Sequence, residues 1–243
     1  MKQGRLVVAI IIVLLNWPAA GYTQDCLSVF RQAYGKMKNF SHDSHDGLLL
    51  KYSVHVETTT GENYSDFINL EMRQKRVKVV SSDFTVFQDE KTMVVIQPEA
   101  KVIFMTRPVA ESLRQNQLAA FMKLQDSIYK YMKVRSCGID PAVKDNGGNS
   151  TQRIMFQLPI GVQEASGVTT VTYWVDASQL AIKRLKLTYG SSSSLYKAVS
   201  FHFDQVDDKY VGVPFDGSAL SRVMEGKSRI KERYRHFEMI DQR

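Results

Sequence analysis

Two cysteines in 243 residues exclude a disulfide-dense scaffold. No His-Glu-x-x-His pair, Gly-x-Ser-x-Gly elbow or phosphate-cradling glycine loop occurs in the chain, so the usual signatures of metal hydrolysis, acyl transfer and nucleotide binding are missing. After residue 15 no apolar run approaches the roughly 20 residues that a spanning helix needs. The chain has 32 Lys and Arg against 25 Asp and Glu; this excess is spread along the chain except at its C-terminal end, and no nucleic-acid-binding motif accompanies it. Catalytic residues, metal, cofactor and nucleic acid are therefore not expected.

What is present begins with a secretory leader. Lys2 and Arg5 precede the apolar run Leu6–Leu15, and Pro18, Ala19, Ala20 and Gly21 supply small residues for cleavage after Gly21 or Thr23. Residues 1–23 are thus expected to be a signal peptide, with one domain over residues 24–243 and a periplasmic or secreted location. Loss of Lys2 and Arg5 lowers the formal charge of +7 by two, to +5. In an exported chain Cys26 and Cys137 are expected to pair, closing a long loop and contributing roughly 4 kcal/mol.

From Gly47 to Thr106 apolar and polar residues alternate. Leu48, Leu50, Tyr52, Val54 and Val56 fall on one face, Lys51, Ser53, His55 and Glu57 on the other, which is the period of a strand wet on one side only. Further runs are Arg76–Val80, Phe84–Gln88, Thr92–Ile96, Val102–Thr106, Gln152–Leu158, Thr169–Val175, Ile182–Tyr189 and Leu195–Val206. Turns at Asp89–Lys91 and Pro98–Ala100 are short, so neighbouring strands should be antiparallel. Helical spacing marks two segments, Cys26–Lys38 and Ala110–Val134. Gly138–Ser150 reads as a loop, Asp207–Glu225 as irregular chain, and Arg229–Ile240 as a last strand. On that strand Lys227, Arg229, Lys231, Arg233 and Arg235 would share a face, either docking anionic headgroups or an acidic partner, or guarding a sheet edge.

The cluster His42-Asp43-Ser44-His45-Asp46 holds four metal-ligand types, but its histidines converge only on a helix, and Gly47 starts a strand; a solvated loop is the expectation. The strands carry more grease than chemistry. The face expected to be apolar includes Leu50, Tyr52, Val54, Ile68 and Leu70, then Phe104, Phe156, Trp174, Phe201 and Phe203, with Leu118, Phe121 and Leu124 of the second helix above them. Either the helices and sheet closure fill this face as a core, or part of it stays open for an acyl chain. Each buried methylene then contributes about 0.8 kcal/mol.

Three local features carry a family resemblance. They are the hairpin Asp89-Glu90-Lys91-Thr92-Met93-Val94-Val95-Ile96-Gln97-Pro98 running on to Val102, the hairpin from Tyr173-Trp174-Val175-Asp176 through Ala181-Ile182-Lys183-Arg184-Leu185, and the leader followed by an amphipathic helix. In these the chain resembles the periplasmic outer-membrane lipoprotein carrier (Lol-type) superfamily. The resemblance implies an α+β fold, a large antiparallel, incompletely closed β-barrel covered by two amphipathic helices. It also implies a non-enzymatic carrier of lipoprotein acyl chains or another apolar ligand, with a membrane-associated donor or acceptor protein as a possible partner. The cysteine pair and the Gly138–Ser150 segment depart from the plain carrier. The other reading is an envelope scaffold with a self-filled core, acting through its basic C-terminal strand.

Overall fold

A computed structural model describes residues 20–39, 47–108, 131–144, 150–190, 195–226 and 229–243. The leader's apolar run, the His42–Asp46 cluster, Leu118, Phe121 and Leu124, and the Ser191–Ser194 tip all lie outside them.

Helix α1 spans Ala20–Asn39, and its apolar residues at three- and four-residue intervals form the stripe that it buries: Cys26, Phe30, Ala33 and Tyr34 are all buried. The strands follow the alternation closely. They are β1 (Leu48–Thr58), β2 (Asn63–Arg73), β3 (Arg76–Val80), β4 (Thr85–Gln88), β5 (Met93–Gln97) and β6 (Val102–Thr106), then β7 (Lys133–Lys144), β8 (Ser150–Gln157), β9 (Val168–Asp176), β10 (Ala181–Tyr189) and β11 (Tyr196–Asp207). A short helix α2, Ile160–Ser166, joins β8 to β9; its seven residues are too few for the periodicity to reveal. β12 (Met224–Glu225), β13 (Arg229–Ile230) and β14 (Glu238–Gln242) complete the chain.

Twelve strands form one sheet in the order β14-β6-β5-β4-β3-β2-β1-β11-β10-β9-β8-β7. All pairs are antiparallel except β14 with β6. β14 and β7 are its ends, so the sheet is large and incompletely closed.

Two expectations need correction. Gly138–Lys144 is part of β7 rather than a loop. Pro141 has no N–H to give to a ladder, but β7 is an edge strand, where that loss is tolerated, and the register slips between Ile139 and Lys144. The basic C-terminal strand is also broken: Arg229 lies on β13, Arg233 in a 3-10 turn over Glu232–Tyr234, and Arg235 caps that turn. Lys227 lies outside the described residues. No single strand therefore presents these cations on one face.

Two apolar cores occupy opposite faces. Phe30 packs against Phe156 and Tyr173, ring centroids 4.9 and 4.7 Å away, and the Cys26–Cys137 disulfide ties α1 to β7. The second core unites Phe87, Val94, Ile96, Ile103 and Met105 with Phe215, Ala219 and Val223 of the C-terminal segment.

Candidate functional site

Residues directly opposite each other in adjacent strands share a face, so the registers assign each expected residue. Leu50 faces Leu70 and Tyr52 faces Ile68 across β1–β2. Tyr52 lies opposite Phe203 and Val54 opposite Phe201 across β1–β11. One row continues through eight strands as Ile240, Phe104, Val95, Val86, Val79, Leu70, Leu50 and Val206. A second row, Val54, Phe201, Leu185, Tyr173, Ile154 and Cys137, runs the other way to the disulfide. Tyr173 touches Phe30, so all of these residues look toward the α1 side of the sheet.

That face is covered unevenly. Over β8–β10 it is a packed core, with Phe156, Ile154 and Val175 fully buried under α1. From β1 to β6, Leu50, Tyr52, Val54, Ile68, Leu70, Val79, Val86, Val95 and Phe104 are only half-buried and belong to neither core. Here the C-terminal segment lies on the other side of the sheet, against Phe87 and Ile103. Strands β4–β6 are therefore apolar on both faces, and one of the two lacks a described partner. Val79, Val86 and Val95 went unnamed in the sequence reading. Their alternation was visible, but only the register places them beside Leu70 and Phe104.

Near its centre the face becomes aromatic and polar. Tyr52 lies 6.3 Å from Phe201 and 6.0 Å from Phe203, the rings tilted. Asp66, opposite Val54, accepts through Oδ1 from the Phe67 N–H at 2.7 Å, the Ser82 N–H at 3.0 Å and the Ser82 hydroxyl at 2.7 Å. Partial burial would push its pKa up, but these donors outweigh burial and hold it below the ordinary carboxylate value. Burial first, and the Asp66 charge second, push the Tyr52 phenol up.

Trp174 does not join this group. It pairs with Arg184 and Arg153, and Arg184 in turn with His202, all on the opposite face. Its indole N–H donates to Asp140 Oδ2 at 2.7 Å and its ring lies under the Arg184 guanidinium, 4.5 Å away. The rest of that face on β1, β2, β10 and β11 is mostly polar, with Lys186 paired to Glu57 at 2.9 Å, although Leu49 and the exposed Phe67 share it. Burial, then the Arg184 charge, lowers the His202 value, which keeps that imidazole neutral beside a cation.

Among the described residues no cluster of His, Cys, Asp and Glu is suited to hold a metal ion, and no helix is long and apolar enough to cross a membrane. No protein-family model matches the chain, and no curated protein matches it. Solved structures do align with it. An uncharacterized conserved protein from Thermus thermophilus aligns over 86% of this chain and 99% of its own, at 5% identity and a TM-score of 0.37. LprF from Mycobacterium bovis aligns over 74% and 92%, at 11% identity and 0.36. A LolA superfamily protein from Nitrosomonas europaea aligns over 74% and 92%, at 6% identity and 0.28.

Proposed function

We propose that this protein is an exported, non-enzymatic carrier, and that it holds an acyl chain or another apolar ligand against the α1 side of an open, half-barrel sheet. One observation carries the reading: the apolar row from Phe104 to Leu50 is half-buried and lies in neither core, while α1 and the C-terminal segment are committed elsewhere. A surface of this kind has no structural use unless something apolar covers it. In this reading Leu50, Tyr52, Val54, Ile68, Leu70, Phe104, Phe201 and Phe203 supply shape and desolvation. Phe156 backs them from within the α1 core, and Leu118, Phe121 and Leu124 would serve as lid contacts. A long acyl chain offers roughly 10 kcal/mol from methylene burial before entropic costs. The leader and an envelope location, with a membrane-associated donor or acceptor, complete the proposal.

Native mass spectrometry of protein purified from its source cell tests it. A co-purifying mass in the lipid range, released by organic solvent, is the expected result. Absence of any such mass, together with no binding of a fluorescent fatty acid, would sink the reading. The scaffold alternative is not favoured, because Arg229, Arg233 and Arg235 are not displayed on one strand.

A further inference from the structure

Independently of the carrier reading, and on the opposite face of the sheet, we propose a binding site for a phosphate group, formed by Arg184 of β10 and Ser200 of β11. Two buried polar atoms of this face have no hydrogen-bond partner, Arg184 Nε and Ser200 Oγ, and Ser200 is 1% exposed. Buried polar groups in folded proteins are nearly always satisfied, so two orphans on adjoining strands call for an acceptor. The registers bring them together. Ser200 lies between His55 and Lys186, and Arg184 between His202 and Trp174. Arg184 and Ser200 are thus a diagonal pair, about 7–8 Å apart at the backbone and within reach of an arginine side chain.

The guanidinium is held in place without being neutralised. It lies over the Trp174 ring at 4.5 Å, which fixes its plane and leaves its N–H fork unspent. Among the described residues no carboxylate pairs with it. Two acids of this face are engaged elsewhere: Glu57 with Lys186 at 2.9 Å, and Asp140 with the Trp174 indole N–H at 2.7 Å. His55 and Lys186, which flank Ser200, are only part-buried, so their outer ends have room to part and admit an anion to the hydroxyl. A short hydroxyl donor from one strand and a planar fork from the next approach from different directions. That suits the tetrahedral oxygens of phosphate better than the coplanar pair of a carboxylate. The same anion would meet His202, the residue opposite Arg184. Burial first, then the Arg184 charge, lowers the pKa of that imidazole, the Asp204 charge raises it, and the His55 charge lowers it.

The test follows the His202 imidazole by NMR, its signals assigned with His202→Gln, as the full mature protein is titrated with inorganic phosphate at constant ionic strength. Bound phosphate should raise the His202 pKa by about one unit, because an anion favours the imidazolium, and acetate should need about tenfold higher concentration. The other titratable groups around that ring are Arg184, Lys186, His55, Glu57 and Asp204, none of which changes between the two titrations. Arg184→Gln should abolish the phosphate response. Ser200→Ala should weaken phosphate binding about fivefold while leaving Tm unchanged or higher, since its hydroxyl satisfies nothing in the fold. A His202 signal unmoved at about 50 mM phosphate, a response that survives Arg184→Gln, or an equal response to acetate overturns the proposal; the wild-type titration decides even if a variant folds poorly. Dihexanoyl phosphatidic acid bound more tightly than inorganic phosphate assigns the group to a lipid headgroup, and equal binding assigns it to free phosphate.

Discussion

Asp176 closes the β9–β10 turn by offering one carboxylate oxygen to three donors: the Ser178 N–H, the Ser178 hydroxyl and the Gln179 N–H, at 2.9, 2.7 and 3.0 Å. It is 3% exposed. Burial opposes its ionisation, yet these bonds and the nearby Lys183 charge hold its pKa below the ordinary 3.8. A carboxylate depressed on folding stabilises fully above its unfolded value and loses that contribution as pH falls through the folded one. Asp176→Asn should therefore cost about 1–2 kcal/mol at neutral pH in urea unfolding, and its curve should converge with wild type as pH drops below 3.8; a deficit that persists in acid would contradict this. Gly47 poses a steric problem instead. Its φ is +113°, and an added Cβ would collide with the Tyr210 carbonyl and lie 3.1 Å from that of Met72. Gly47→Ala should cost roughly 2–3 kcal/mol and lower Tm, because backbone on both sides must move. The Asp176 turn was readable from the sequence as an aspartate ending an apolar run. Trp174 was readable too, by parity: Val171, Tyr173 and Val175 alternate around it, so it had to face the other way. Size outweighed parity in the expectation, and the face followed parity.

Among elements, α1 depends on two attachments of different kinds. Phe30 is fully buried between Phe156 and Tyr173, whereas Cys26 and Cys137 link positions 111 residues apart. Phe30→Ala should cost about 3–5 kcal/mol through lost contacts and the void left behind. Replacing both cysteines by serine should cost roughly 4 kcal/mol by freeing the unfolded chain, and denaturation of wild type with and without reductant should show the same difference. If reductant leaves the midpoint unchanged, α1 is held by packing alone. Where a run of alternation was bounded between β3 and β6 and between β8 and β11, its limits were legible to within two residues, since alternation marks them directly, whereas β7 was not read as a strand. The C-terminal strand misled because charges at every second position satisfy the period without an apolar face to dock. Tyr234 and Phe237 instead turn toward the second core, their rings 5.2 Å apart, and only Glu238–Gln242 remains extended along β6. Pro141 misled in the reverse sense, as a loop signal that an edge strand absorbs.

For the whole molecule the governing quantity is how a twelve-stranded sheet with apolar stretches on both faces is covered. Among the described residues α1 and the C-terminal segment divide that work, one at each end and on opposite sides, and the α1 side of β1–β6 is half-buried. The existence of this surplus was legible in the alternation. Its shape was not, because a row such as Phe104, Val95, Val86, Val79, Leu70, Leu50 joins residues from six strands through registers that no local pattern specifies. If that row is the working surface, a charge placed in it must act differently from charges changed at the C-terminus. Val95→Asp should abolish binding of a neutral fluorescent probe, since a carboxylate amid apolar neighbours costs more than the probe gains, with Tm lowered by only a few degrees because one face of β5 remains packed through Val94 and Ile96. Reversing Arg229, Lys231 and Arg233 to glutamate should leave probe affinity within about twofold, because charges on a segment across the sheet, two of them exposed, are screened. Loss of binding in the second variant but not in the first would mean that the cations, and not the open sheet, hold the ligand.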